Sequence, residues 1–179
     1  MRLSSRDDPI LSFKKGVASV NPSHASSGHS APRTVHFLGN LLTFIAKAPD
    51  TSGSFSLAGC LTAPGAGSPY HTQQDEEGFL VVEGTYEFIL DGQPRTCKAG
   101  DFVHIPPGLP HMFRNTGDAP GKLVIINLPA GPHEDFFMEV GTPVEADSTT
   151  FPPASEPDIP FVMAAAARHG IAILPPPSA

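Results

Sequence analysis

The chain has 179 residues, 21 of them proline and 17 glycine, which suits one domain with its own core and is too much punctuation for a helical bundle. A net charge of -7 with no cluster of Lys or Arg excludes a nucleic-acid surface or an anionic-membrane patch as the organising function. Two cysteines, Cys60 and Cys97, exclude a disulfide scaffold; with no secretory apolar run at the start and no stretch of transmembrane length, the expected location is cytoplasmic.

In chain order, residues 1–34 show no sustained periodicity, and Asn21 to Ser30 are rich in Ser, His and Gly. Such composition buries too little apolar surface to offset its ordering entropy, so this part is expected to be a flexible N-terminal arm, with Ile10 to Val20 able to add an edge strand or wrap a partner. Residues 35–147 read as a run of short strands. Val35 to Ala46 and Ser54 to Thr62 are rich in β-branched and aromatic residues and are separated by the turn-forming Pro49 to Gly53. Phe79 to Val82 and Thr85 to Leu90 follow, and Asp91-Gly92 is a strong hairpin signal because both positions accept positive φ. Thr96 to Lys98, Asp101 to Ile105, His111 to Asn115 and Lys122 to Leu128 complete the series. Many short antiparallel strands must pair two sheets or close to hide their edges, so the fold class is all-β, a double-sheet jelly roll. His133 to Gly141 reads as a short helix or strand over one end of the barrel. Residues 148–179 comprise a Pro-rich linker and a C-terminal helix, with Ser155 as N-cap, Pro157 in the first turn, an Ala-rich body, and Gly170 beyond its end.

The stretch from Gly65 to Asn115 carries the chemistry. His71 and Gln73 are two apart and share a strand face; Glu77 follows across Gln74-Asp75-Glu76, read here as a turn. His111 enters after the tight turn Pro106-Pro107-Gly108. Paired imidazoles with one carboxylate form the donor set of non-heme iron oxygenases, which leaves positions open for substrate and dioxygen, and the amide of Gln73 adds a weak oxygen donor. His104 is read as a satisfied histidine outside the set, and His36, His133 and His169 receive no role.

These motifs resemble those of the cupin superfamily, G-x5-H-x-H-x3-4-E-x6-G and G-x5-P-x-G-x2-H-x3-N. Gly65, His71, Glu77 and Gly84 fit the first, with Gln73 in place of its second histidine; Gly100, Pro106, Gly108, His111 and Asn115 fill the second. Flanking segments such as Gly39 to Ala46 and Asn127 to Gly131 are similar to the single-domain quercetin 2,3-dioxygenase-like branch. The resemblance implies a double-stranded β-helix and a divalent transition metal (Fe, Ni, Mn, Cu or Zn) on His71, Gln73, Glu77 and His111. It also implies a homodimer and a small-molecule substrate. In quercetinase-like members the motif glutamate also accepts the substrate's hydroxyl proton, so Glu77, assisted by Gln73, is the expected catalytic residue, with its pKa raised by an apolar barrel. The activity implied is dioxygenase-like oxidation of a small aromatic or enolisable metabolite. Two alternatives stand beside it: non-redox isomerisation, dehydration, cyclisation or decarboxylation with Glu77 as base, and a non-catalytic small-molecule-binding barrel.

Overall fold

The computed structural model describes residues 33–146 and 148–177. The expected N-terminal arm therefore lies outside the described residues, except for Arg33 and Thr34, which open the first strand.

The elements run β1 (Arg33–Phe37), β2 (Asn40–Ala46), β3 (Ser56–Thr62), β4 (His71–Thr72), β5 (Glu76–Glu83), β6 (Thr85–Leu90) and β7 (Gln93–Lys98). They continue with β8 (Phe102–Ile105), β9 (His111–Asn115), β10 (Gly121–Leu128), helix α1 (Pro132–Val140), β11 (Thr142–Val144), helix α2 (Ile159–Arg168) and β12 (Ala172–Ile173). Two antiparallel sheets result. The larger has strand order β11-β1-β2-β3-β10-β5-β8 and the smaller β12-β4-β9-β6-β7, the two-sheet jelly roll with a C-terminal helix that the strand pattern requires. No helix among the described residues is long and apolar enough to cross a membrane.

Several local expectations change. Val35 to Ala46 is two strands, because Leu38 (φ 49°) and Gly39 (φ 75°) form a tight turn between β1 and β2. Asp91 (φ 47°) and Gly92 (φ 75°) make the expected turn between β6 and β7. The C-terminal helix starts a turn later than Ser155: Asp158 is its N-cap, its side chain accepting from the Phe161 amide at 3.0 Å. Pro160 sets that limit, since it has no N–H and is tolerated only in a helix's first turn. After α2 the chain turns back into the barrel, where β12 pairs with β4, a strand the sequence reading did not anticipate.

The core between the sheets is aromatic. Phe79 of β5 meets Phe88 of β6 at 5.3 Å and Phe113 of β9 at 5.5 Å between ring centroids, and all three are buried. Helix α1 docks by Phe136, whose ring lies 5.8 Å from Phe37 of β1. Helix α2 buries Val162, Ala165 and Ala166, one face at helical spacing, and is tied to α1 where Glu139 accepts hydrogen bonds from Arg168 and from His169 Nε2, the latter at 2.7 Å.

Candidate metal centre

The candidate residues meet where the two sheets face each other. His71 and His111 are directly opposite across the β4 and β9 pair, their ring centroids 4.3 Å apart. Each ring is fixed the same way: Nδ1 of His71 donates to the Pro69 carbonyl and Nδ1 of His111 to the Leu109 carbonyl, both at 2.9 Å. A carbonyl oxygen only accepts, so Nδ1 carries a proton and Nε2 turns inward, where it offers a lone pair whenever the ring is neutral.

Glu77 comes from the opposite sheet, where β5 lies between β10 and β8. It is 4% exposed, whereas neighbouring Glu76 points outward and pairs with His104 at 2.6 Å. The Glu77 carboxylate accepts from Gln73 Nε2 at 2.9 Å and from Asn127 Nδ2 at 3.1 Å, and its Oε2 lies 3.2 Å from His111 Nε2. That last contact sets acceptor against acceptor when the imidazole is neutral; only a shared cation, a proton or a metal ion, makes it favourable. Gln73 is 2% exposed and its Oε1 is a buried oxygen without a hydrogen-bond partner among the described residues. An orphaned amide oxygen beside an imidazole and a carboxylate is a donor set suited to a divalent cation.

The structure adds two residues that the sequence reading passed over. Asp75, placed in a turn above, is buried, and so is His133 of α1. His133 Nδ1 donates to Asp75 Oδ2 at 2.8 Å, and Asn127 Nδ2 binds the same oxygen at 3.1 Å. One ligating atom from each of His71, Glu77 and His133 lies within 4.8 Å of the others. Among these side chains, His71, Glu77 and His133 reach the wall of an apolar cavity, and Gln73 and His111 do not. The rest of the wall includes Phe37, Phe79, Phe113, Phe136 and the C-terminal Ile171 and Ile173, and no Lys or Arg among the described residues.

Charge is shared tightly here. Burial and then the charge of His111 lower the His71 pKa to about 4, so His71 is neutral at pH 7. Burial alone would raise the Glu77 carboxyl, but the charge of His133, the hydrogen bond and charge of His111, and the charge of His71 carry it down to about 2. The expected raised pKa of Glu77 is thus reversed: the imidazoles around its carboxylate outweigh burial. For His133, burial opposes the charge, yet Glu77 and Asp75 outweigh it and raise the pKa.

Residues 60–127 match the family model of the cupin domain. This stretch is a cupin domain. Among curated relatives, this cupin is 34% identical over 73 residues to quercetin 2,3-dioxygenase of Bacillus subtilis, a match covering 40% of this chain and 22% of that enzyme. It is 36% identical over 83 residues to polyketide synthase CurC of Streptomyces cyaneus, covering 46% of this chain and 53% of that protein. In both cases the cupin spans less than two thirds of its relative. An RmlC-like cupin from Shewanella frigidimarina superposes with a TM-score of 0.51 at 20% identity, covering 60% of this chain and 93% of the other, which bears on the fold alone.

Proposed function

We propose that this cupin is a metal-dependent enzyme, a dioxygenase-like oxidoreductase acting on a small aromatic or enolisable metabolite. The observation that carries the reading is the buried contact of His111 Nε2 with Glu77 Oε2 at 3.2 Å, next to the His71 ring and with Gln73 Nε2 donating to the same oxygen, where His71 and Glu77 reach the wall of an apolar cavity. In this reading His71, Glu77 and His111 hold a divalent metal, assisted by Gln73, and the metal supplies Lewis acidity and open positions for a substrate oxyanion and dioxygen. The chain's own contribution is binding and exclusion of water. The rings of Phe37, Phe79, Phe113 and Phe136 offer flat apolar walls to an aromatic ligand. Among the described residues the wall has no Lys or Arg, so a phosphate would find no guanidinium or ammonium group to pair with. Gln73 holds the Glu77 carboxylate in orientation, and Glu77, with its pKa near 2, serves as an anionic anchor more readily than as a base.

A second reading, non-redox cyclisation or another proton-transfer reaction in the same cavity, draws on the buried pairing of Asp75 with His133 and on the similarity to a polyketide synthase. The two are separated by oxygen uptake by the metal-loaded protein with a panel of flavonols and enolisable aromatics. Dioxygen consumed in proportion to substrate lost is the expected result. Turnover that continues unchanged under argon would replace the oxidative reading by the non-redox one, and saturable binding without turnover would replace both by a binding role.

A further inference from the structure

We propose that His133 is itself a metal ligand, completing with His71 and Glu77 the donor face that opens on the cavity. The inference rests on the metal-centre reading above and extends it beyond the motif residues. Three independent features support it. First, the ligating atoms of His71, Glu77 and His133 all lie within 4.8 Å of one another, so one ion can touch all three without rearrangement of the backbone. Second, these same three side chains reach the cavity wall, so a metal held by them is open to substrate, whereas His111 and Gln73 do not line it. Third, His133 has the surroundings of an oriented ligand: Nδ1 donates to the Asp75 carboxylate at 2.8 Å, Asp75 is in turn held by Asn127, and Nε2 has no hydrogen-bond partner among the described residues.

The arrangement also accounts for position 73. Gln73, just past the end of β4, supplies only an amide, and the further imidazole arrives from α1 instead, carried to the site by Gly131-Pro132 at the helix start and by the burial of Phe136. Helix α1 therefore positions a chemical group as well as covering the barrel end.

The test is zinc affinity, measured by competition with a chromophoric chelator, together with X-ray absorption to count imidazoles around bound zinc. The parent, His133→Ala, His133→Gln, Asp75→Asn and the remote control His36→Ala are compared as full-length chains, with far-UV circular dichroism to confirm folding. The expected results are at least about 10-fold weaker zinc binding for both His133 variants and an imidazole count lower by one. Asp75→Asn is expected to lose about 10-fold while keeping the count, and His36→Ala to match the parent. Asp75→Asn, nearly isosteric, carries the affinity test if the His133 variants do not fold. Folded His133 variants with parental affinity and parental imidazole count overturn the inference and leave the metal centre standing; a parent that takes up no zinc overturns both.

Discussion

Replacing Glu77 by Gln probes how the buried charge is held, since it keeps shape and removes the anion to which the site's imidazoles respond. In the folded chain the carboxyl falls from an ordinary 4.5 to about 2, and at 1.36 kcal/mol per decade this is worth about 3 kcal/mol of stability at pH 7. The sign follows from the depressed value: the contribution is complete above about 4.5, and is lost as pH falls through that value toward 2. Urea unfolding of chelator-treated parent and Glu77→Gln, followed by circular dichroism, should show a gap of about 3 kcal/mol at pH 7 that narrows to about 1 kcal/mol at pH 3. Acid-labile groups away from the site weaken both proteins alike, so the gap reports Glu77 together with the imidazoles coupled to it, His71 and His133. Equal stabilities at pH 7, or a gap that does not shrink with acid, would refute the assignment of Glu77 as an anion held by the surrounding imidazoles.

Other expectations follow from single contacts. Burial pushes the Cys60 thiol up to about 12 and also raises Cys97, so a thiol reagent at pH 8 should find neither cysteine in the native protein and both after denaturation; rapid native labelling would contradict the packing. At Gly67, which runs against β9, an added β-carbon would sit 1.9 Å from the Phe113 carbonyl oxygen. Gly67→Ala should therefore cost about 1–3 kcal/mol in urea unfolding, and an unchanged midpoint would show that the loop before His71 does not lie where described. Gln73→His supplies an imidazole behind Glu77 and should tighten zinc binding roughly 10-fold by chelator competition; no gain would mean that position 73 does not reach the metal.

The two-sheet architecture was legible because short strands, Gly/Pro turns and period-two alternation are local signals. The choice of Glu77 over Glu76 rested on motif spacing, and the structure places Glu77 inside and Glu76 on the surface. Asp75 was missed for a physical reason. The polar run from Gln74 to Glu76 suggests a turn, and the chain does bend there from β4 into β5, but Asp75 is turned inward and buried while Gln74 and Glu76 are exposed. His133 was missed because it lies outside both motifs on an element whose type was left open. Its only signal is helical spacing with Phe136, Phe137 and Val140, which marks a buried face without saying what that face approaches. The strand β12 was unreadable, since two residues that pair with β4 leave no periodicity of their own.

The central claim is that the inward-facing acceptors of His71, Glu77 and their neighbours hold one divalent cation. Elemental analysis of the chain purified without chelator or affinity metal, followed by stripping and reconstitution with Fe, Ni, Mn, Cu and Zn in turn, tests it most directly. The account predicts about one tightly held metal per chain, recovered on reconstitution and greatly reduced in Glu77→Gln. A chain that holds no metal as isolated and takes up none of the five would contradict it.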